Sequence, residues 1–353
     1  MDIKYKTLIY PYNRTVKGLI KYQELLDGLE VEAVVIPKGW GEKGEVIKSI
    51  SGKSIVVKDD FEEEILRCDV VWFVEDGICS LPEKLLKDKI EKTAEMGKKF
   101  IFSRHESIFM EKYNMDLLPA PNCREKQIEI KYTNRLIPND VPVIVVASDF
   151  KTPDKAEIEI ALRYELQKKG YNVSSIFSFS GGEYMGGHSF PDFMNDQKKS
   201  ESDKIILYNH NVRLIAADEK PDVFIVGIPG EVLPYSNTIH NEFGIRTFEI
   251  TNAISSDFTV LCTIYREGLL EELDTERQML FEKYGLNVEC IHLSPYIWDV
   301  QDDVGNQTEG AVLETDKKFL YDHVSELDKK DIWNLSEYKN IQIVTNKIIE
   351  LLS

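Results

Sequence analysis

Short apolar runs alternate with amphipathic helical stretches along this chain, and the alternation begins twice. In the first half, the run Val70–Val74 is apolar throughout, as expected of a strand in the middle of a parallel sheet. Ahead of it, one helical face is formed by Leu19, Tyr22, Leu26 and Leu29. Strands that alternate with helices predict mainly parallel sheets with helices on their faces. The predicted fold class is therefore α/β, with two Rossmann-like domains.

The alternation is interrupted over residues 114–139, where Pro and Asn cluster and helical periodicity is lost. It resumes with the strand-like run Val143–Ala147, a polar loop and a helical stretch that ends at Gly170. We therefore predict a Rossmann-like domain over residues 1–113, a connector over 114–139 and a second α/β domain over 140–353.

The charge balance limits the partners of this chain. It carries 61 acidic against 43 basic side chains, a formal net charge of -18, so its field repels nucleic acid and anionic lipid. Its apolar runs are far shorter than the about 20 residues of a membrane span, and Met1–Lys6 does not resemble a secretory signal. The five cysteines never form a C-x-x-C pair, which indicates reduced thiols, and no H-x-x-x-H metal spacing occurs. We predict a cytoplasmic protein with no metal, nucleic-acid or membrane partner.

The loop that follows the first strand of the second domain lies where a phosphate-binding loop would lie. Such a loop reads G-x-x-x-x-G-K-[ST]. Here Lys155 occupies the lysine position, whereas Asp149 and Asp154 replace the two glycines and Ala156 replaces the hydroxyl residue. Carboxylates repel phosphates, and alanine cannot place an oxygen on Mg²⁺. The pattern indicates a degenerate P-loop in which ATP or GTP use is doubtful; an ordinary loop with an N-capping Asp is the alternative.

A glycine-rich loop follows the next predicted strand. It holds Gly181, Gly182, Gly186 and Gly187, and His188 comes directly after them. Glycine pairs permit positive φ and a close backbone approach, which would suit a bound anion or peptide, with His188 as a donor or general base. A flexible turn with a solvated histidine is the alternative interpretation.

A third loop follows the strand Val223–Ile228. A nucleotide hydrolase often has an Asp at the end of this strand to hold Mg²⁺, but this chain has Gly227. Further on, Ser236 and Asn237 precede a helix-like stretch, where they act as caps or help to bind an anionic group.

Ligands of doubly wound sheets bind beyond the carboxyl ends of the strands, so the tips of these three loops are expected to meet on one face. The candidate ligand-binding residues are Ser148, Asp149, Asp154, Lys155, Gly181, Gly182, His188, Gly230, Ser236 and Asn237. No catalytic residue is assigned. In the first domain, the stretch Tyr10–Arg14 replaces the G-x-G-x-x-G of a dinucleotide site, so no NAD or FAD is predicted.

Four segments of the chain resemble a small clostridial family of peptide maturation system proteins. These segments are Val141–Lys155, Gly186–Met194, Pro221–Asn237 and Phe243–Ile254. Members of that family accompany radical-SAM enzymes and short precursor peptides in natural-product clusters. The resemblance implies an accessory protein in the maturation of a ribosomally synthesised peptide, which binds the precursor peptide or a radical-SAM maturation enzyme.

Two other functions remain open from the residues themselves. Lys155 together with the glycine-rich loop favours an enzyme that uses a nucleotide or another phosphorylated ligand at the carboxyl edge of the second sheet. The missing glycines, hydroxyl and Asp favour a binding role. A third interpretation is an inactive scaffold descended from a nucleotide-binding domain.

Overall fold

The chain forms two compact units. Unit 1 comprises residues 1–127 and 179–190, and unit 2 comprises residues 128–178 and 191–353. The structure is a computed structural model. The residues it describes are 4–74, 81–102, 116–121, 135–150, 152–233, 243–266, 268–299, 311–316, 318–320 and 331–352.

Unit 1 is built on a six-stranded sheet with the strand order β3-β4-β2-β1-β5-β6. The pairing of β3 with β4 is antiparallel and all other pairs are parallel. The strands are β1 (Tyr5–Tyr10), β2 (Leu29–Val35), β3 (Val46–Lys48), β4 (Ser54–Lys58), β5 (Val70–Phe73) and β6 (Lys99–Phe102). The helices are α1 (Arg14–Lys21), α2 (Phe61–Glu64) and α3 (Glu83–Glu95). The chain first adds strands on one side of β1 and then on the other, so the strand order reverses at β1.

Unit 2 contains a second six-stranded sheet, with the order β14-β11-β10-β7-β9-β8 and only parallel pairs among them. Its strands are β7 (Val143–Ser148), β8 (Val173–Ile176), β9 (Val223–Gly227), β10 (Phe258–Ile264), β11 (Val288–Ser294) and β14 (Ile332–Trp333). An antiparallel pair is formed by β12 (Tyr296–Asp299) and β13 (Ala311–Glu314). The helices are α4 (Lys155–Lys168), α5 (Glu201–Glu219), α6 (Ile245–Ala253), α7 (Leu269–Tyr284) and α8 (Tyr338–Leu352). The predicted α/β class with two Rossmann-like, mainly parallel sheets is confirmed.

The three central strands of unit 2 position its candidate site. Every residue of β7, β9 and β10 is buried, as expected of parallel strands that are covered on both faces. In register, Val146 is paired with Gly227, and Ser148 is paired with Cys262. The loops that follow these strands therefore leave the sheet at the same edge.

The glycine-rich segment 179–190 belongs to unit 1, whereas the sequence predicts a continuous second domain over 140–353. The reason is packing against Trp72 of β5. Gly181 has φ +90, and a Cβ at this position would lie 2.7 Å from Cζ2 of the Trp72 ring. The Tyr184 ring lies 5.4 Å from the same indole between centroids. Of the predicted connector, residues 116–121 and 135–139 are described, and Leu117 forms an isolated bridge to Phe100.

The helical face that the sequence predicts through Leu26 and Leu29 is wrong beyond residue 21. Helix α1 ends at Lys21, a short 3-10 turn covers Gln23–Leu25, and Gly28 reverses the chain with φ +68. Leu29 is then the first residue of β2. Both leucines are nevertheless buried, because the same apolar spacing also serves a turn that folds onto the core.

Candidate functional site

The loops after β7 and β9 contact each other at the carboxyl edge of the unit 2 sheet. The Ser148 hydroxyl donates to the carbonyl oxygen of Gly230 over 3.3 Å. In the opposite direction, the backbone N–H of Val232 donates to the carbonyl oxygen of Ser148 over 2.9 Å. This edge therefore holds both the degenerate P-loop and the loop that begins with Gly230.

Lys155, at the lysine position of the degenerate P-loop, is directed inside the protein. It is the first residue of α4 and is buried. Its ammonium group donates to the carbonyl oxygen of Ile228 and, over 3.4 Å, to that of Gly230. In a working P-loop the corresponding ammonium contacts phosphate oxygens. Here two backbone carbonyls accept its protons, so Lys155 links α4 to the loop after β9.

The place of a magnesium-holding Asp at the end of β9 is taken by a carboxyl group from a helix. A Cβ on Gly227 would lie 2.3 Å from Cδ of Glu159, so a larger residue there would have to displace the Glu159 carboxyl group. The Glu159 carboxyl group is fully buried and accepts from the Ser178 N–H over 2.8 Å and from the Ser178 hydroxyl over 2.6 Å. Burial raises the pKa of Glu159 to about 7, although Lys155 and Ser178 oppose the shift.

Asp149 places a carboxyl group where the first phosphate-contacting amides of a P-loop would lie. One oxygen accepts from the backbone N–H of Phe150 over 2.7 Å. The other accepts from the Thr263 hydroxyl over 2.6 Å and from the Arg266 guanidinium over 3.2 Å. Burial raises the pKa of Asp149 to about 7, against the attraction of Arg266. The loop is thus occupied by a carboxyl group of its own.

Arg266 is surrounded by carboxylates. Besides Asp149, its guanidinium donates to Glu276 and, over 3.3 Å, to Glu272. It also lies over the Phe150 ring, 4.6 Å from the ring centroid. Three carboxyl groups therefore share one cation, which leaves little positive charge for an anionic ligand. Arg266 cannot be found from the sequence alone, because nothing in it shows that the residue two positions after β10 returns to the first loop.

Asp154 occupies the N-cap position of α4, but its side chain does not cap the helix. It is buried and accepts from the hydroxyls of Ser294, over 2.6 Å, and Ser336, over 3.1 Å, and from Nε2 of His292 over 3.0 Å. Nδ1 of His292 accepts from the backbone N–H of Leu335 over 3.0 Å, so the ring proton is on Nε2.

These contacts hold Asp154 and His292 in hydrogen bonds inside the protein. Burial acts to raise the pKa of Asp154, but the hydrogen bonds from His292, Ser294 and Ser336 outweigh it and lower the pKa. Because both ring nitrogens of His292 are bonded inside the protein, this histidine is not placed to act as a general base. The group connects the degenerate P-loop to β11 and to the segment before α8.

The glycine-rich loop uses its backbone amides internally. The N–H groups of Gly181 and Gly182 donate to the Ser189 hydroxyl oxygen over 2.8 and 3.2 Å. The Ser189 hydroxyl and its backbone N–H in turn donate to the Glu183 carboxylate. These amides therefore bind a serine oxygen in the position that was predicted for an external anion. His188 lies in the same segment of unit 1 and is half-buried.

The ten candidate residues consequently fall into three groups. One group lies together at the carboxyl edge of unit 2 and consists of Ser148, Asp149, Asp154, Lys155 and Gly230. The second group lies in unit 1 and consists of Gly181, Gly182 and His188. Ser236 and Asn237 lie outside the described residues. The structure thus brings five of the candidates together, and a shared face for all three loops stays a prediction.

None of the helices described is both long and apolar enough to cross a membrane. No group of three or more His, Cys, Asp or Glu side chains that could hold a metal ion occurs among the residues whose placement is described.

No family model matches the sequence, and no curated protein matches it significantly. Among solved structures, the chain is similar to a DUF1611 family protein from Anabaena variabilis ATCC 29413, with a TM-score of 0.60 and 9% identity over 98% of this chain and 100% of that one. This similarity shows a common fold.

Two further solved structures match with lower scores. A plasmid partition protein from Borrelia burgdorferi has a TM-score of 0.36 and 14% identity over 60% of this chain and all of its own. Chloroplast FtsY from Physcomitrella patens has a TM-score of 0.27 and 11% identity over 54% of this chain and 68% of its own. Scores at this level do not establish a common fold.

Proposed function

We propose that this chain is a cytoplasmic accessory protein in the maturation of a ribosomally synthesised peptide, which binds the precursor peptide or a modifying enzyme without hydrolysing a nucleotide. The observation that carries the non-hydrolytic part is the bonding of the Lys155 ammonium group to the carbonyl oxygens of Ile228 and Gly230. A lysine held in this way is not presented to a phosphate.

Three separate features of the same edge support this part of the proposal. The lysine is bonded to carbonyl groups, the Phe150 amide is bonded to the Asp149 carboxyl group, and the space beside Gly227 is filled by Glu159. A polyphosphate would have to displace these contacts and bring its own charge next to buried carboxyl groups. Phosphoryl transfer depends on positioning and on electrostatic stabilisation, and neither is prepared here.

The peptide-maturation part rests on the resemblance of sequence segments, two of which include the described edge. Val141–Lys155 contains β7 and the degenerate P-loop, and Pro221–Asn237 contains β9 and the loop that receives Lys155. The resemblance thus covers the residues that form this internal arrangement. A binding protein has no need of a working nucleotide site, so the two parts of the proposal are compatible.

The test is a binding measurement with whatever short peptides the genes flanking the gene for this chain encode. Each peptide is labelled with a fluorophore and titrated with the purified full chain, and fluorescence polarisation gives the dissociation constant. We expect one peptide to bind with a Kd in the micromolar range or tighter, corresponding to about -8 kcal/mol. A scrambled peptide of the same composition is the control. If no encoded peptide and no enzyme encoded beside this chain binds it, the maturation role is excluded.

A further inference from the structure

Four charged side chains meet at the carboxyl edge of the unit 2 sheet, with a guanidinium at their centre. Arg266 is paired with Asp149 over 3.2 Å, with Glu272 over 3.3 Å and with Glu276. Asp149 follows β7, Arg266 follows β10, and the two glutamates lie one turn apart on α7. We call these four side chains the Arg266 group.

The Arg266 group lies at the point where the strand order of unit 2 reverses. After β7 the chain adds β8 and β9 on one side, and it then crosses to β10 on the other side. The strands β7 and β10 are direct neighbours, with Ser148 paired to Cys262. Ligands of doubly wound sheets bind beyond the carboxyl ends of the strands at such a point. The loops after β7 and β10 are therefore the place where this architecture receives a ligand.

The Arg266 group is open to solvent on the side of α7. The Glu272 side chain is 58% exposed and the Arg266 side chain is 17% exposed, whereas Asp149 is fully buried. The Phe150 ring lies behind the guanidinium, with its centroid 4.6 Å from the central carbon. The group is thus a half-buried surface with an apolar back, which a small cation can approach along Glu272.

Negative charge exceeds positive charge in this group. Three carboxyl groups face one guanidinium, which leaves two negative charges in excess when all three are ionised. Burial is the largest cause of the raised pKa values of Asp149 and Glu276, and repulsion from a neighbouring carboxylate adds to each. Like charges at i and i+4 of a helix, as in Glu272 and Glu276, also repel each other. A second cation would stabilise this arrangement.

The Glu276 carboxyl group has one oxygen without a partner. The residue is 9% exposed, its Oε1 accepts from Arg266, and no described residue forms a hydrogen bond with its Oε2. A buried polar atom without a hydrogen bond is costly. Both oxygens of Asp149, by contrast, accept hydrogen bonds. Because the group carries excess negative charge, the partner that would satisfy Oε2 is a cationic donor.

We propose that the Arg266 group binds the guanidinium group of a ligand, which donates to Oε2 of Glu276 and to the carboxylate of Glu272. A guanidinium offers several N–H donors in one plane and is more weakly hydrated than an ammonium group, so it suits half-buried carboxylates. A bare metal ion does not suit this group, because no set of side chains that could hold one occurs among the described residues. The inference goes beyond the proposed function, since it does not require the ligand to be a peptide.

The probe for this site is N-acetyl-L-argininamide. Its control is N-acetyl-L-citrullinamide, which has nearly the same shape but carries an uncharged urea in place of the guanidinium. Each compound is titrated into the full chain and followed by isothermal titration calorimetry at physiological salt. We expect saturable binding of the arginine compound with a Kd on the order of 1 mM, and no binding of the citrulline compound over the same range.

The variant Glu276→Gln separates ligand binding from a structural role. The amide keeps an oxygen for Arg266 but removes the negative charge, so we expect the Kd to rise at least about tenfold with the melting temperature unchanged or higher. Glu271→Gln is the matched control, because it makes the same charge change at an exposed position of α7 outside the group. We expect it to change the Kd by less than about twofold.

A second variant keeps the test decisive if Glu276→Gln folds poorly. Glu272→Gln alters an exposed side chain and should raise the Kd at least about threefold with the melting temperature unchanged. The site is overturned if both compounds bind equally, if the arginine compound does not bind, or if Glu272→Gln binds it no more weakly than Glu271→Gln does. The last result would show diffuse attraction to an acidic surface. If the probe binds as expected and no encoded peptide or enzyme does, the site stands and the maturation role is contradicted.

Discussion

Gly227 and Glu159 lie in close contact at the carboxyl edge of unit 2. The glycine is needed because a Cβ would overlap the Glu159 carboxyl group, and that group is held by two hydrogen bonds from Ser178. Burial also favours the protonated form of Glu159. The missing magnesium-holding Asp is therefore matched by a helix carboxyl group that fills its space.

Gly227→Ala is expected to lower the free energy of unfolding by about 1–3 kcal/mol, because a methyl group is forced against a buried carboxyl group. Gly41→Ala is the matched control, since a Cβ there meets no atom within 4 Å, and we expect it to change stability by less than about 0.5 kcal/mol. Urea unfolding of the two variants measures the difference. Equal stability of both variants would show that Glu159 does not fill the space beside Gly227.

Lys155→Met is expected to lower the free energy of unfolding by about 2 kcal/mol. The substitution keeps the length of the side chain but leaves the carbonyl groups of Ile228 and Gly230 without their charged donor. Lys169→Met, which removes an exposed hydrogen bond to Asn346, is the control and should cost less than about 0.5 kcal/mol. A Lys155→Met chain as stable as the parent would contradict the internal role of this lysine.

For single residues, the sequence predicts where a residue lies in the fold better than it predicts which atoms the side chain contacts. The spacing of the P-loop pattern places Lys155, Asp149 and Asp154 correctly at one edge of a parallel sheet. It does not show that Lys155 turns towards backbone carbonyls, because those carbonyls follow β9, more than seventy residues later. It gives no sign of Arg266 or His292, whose roles depend on the return of distant strands to the same edge.

Among the elements, the segment 179–190 is the one whose placement the sequence does not predict. It follows β8 directly in the chain but packs in unit 1, where Gly181 lies against Trp72 and the Tyr184 hydroxyl donates to the Leu118 carbonyl over 2.8 Å. Glycine pairs in a sequence indicate either a ligand loop or a close approach. Only the three-dimensional neighbours, here an indole ring, decide between the two.

Gly181→Ala is expected to destabilise the chain by about 2–3 kcal/mol, through the unfavourable positive φ and the clash with Trp72. Gly52→Ala is the control, because its φ of +91 is nearly the same as the +90 of Gly181 but its Cβ would meet no atom within 4 Å. The control therefore carries only the backbone cost, about 1 kcal/mol. Guanidinium unfolding followed by tryptophan fluorescence compares them; an equal loss would show that Trp72 does not pack there.

The elements that apolar periodicity predicts well are the long, buried ones. The central strands β5, β7 and β9 match their predicted bounds within a few residues. The short edge strands β3 and β14 have too few residues for a periodic signal. The end of α1 is not predicted for a different reason. Leu26 and Leu29 lie beyond the helix, on either side of the turn at Gly28, but they are buried as they would be on a helical face, so their spacing does not show where the helix ends.

At the scale of the whole molecule, unit 2 carries ionisable groups in its interior rather than only on its surface. Asp149 and Glu159 both have pKa values raised to about 7, with burial as the largest cause. Asp154 is shifted the other way by His292 and its hydroxyl partners. These groups couple the stability of unit 2 to pH, with a sign that follows from the direction of each shift.

We expect the chain to lose stability as the pH rises from about 5 to about 8. The folded pKa values of Asp149 and Glu159 lie above their ordinary values, so the folded state holds more protons than the unfolded state in this window. The stabilisation is complete below the unfolded pKa values and is lost as the pH passes about 7. Melting temperatures across this window measure it. Glu159→Gln, which stays neutral, should reduce the slope of melting temperature against pH. A variant with the same slope as the parent chain would contradict the attribution of this pH dependence to Glu159.

The most direct test of the account is an assay of the purified chain for Mg²⁺-dependent ATP and GTP turnover, with Lys155→Met measured beside it. The account predicts no release of phosphate above the protein-free background for either chain, because the lysine, the Phe150 amide and the space beside Gly227 are all occupied from within. Steady, saturable turnover by the parent chain that is abolished in a folded Lys155→Met chain would contradict it.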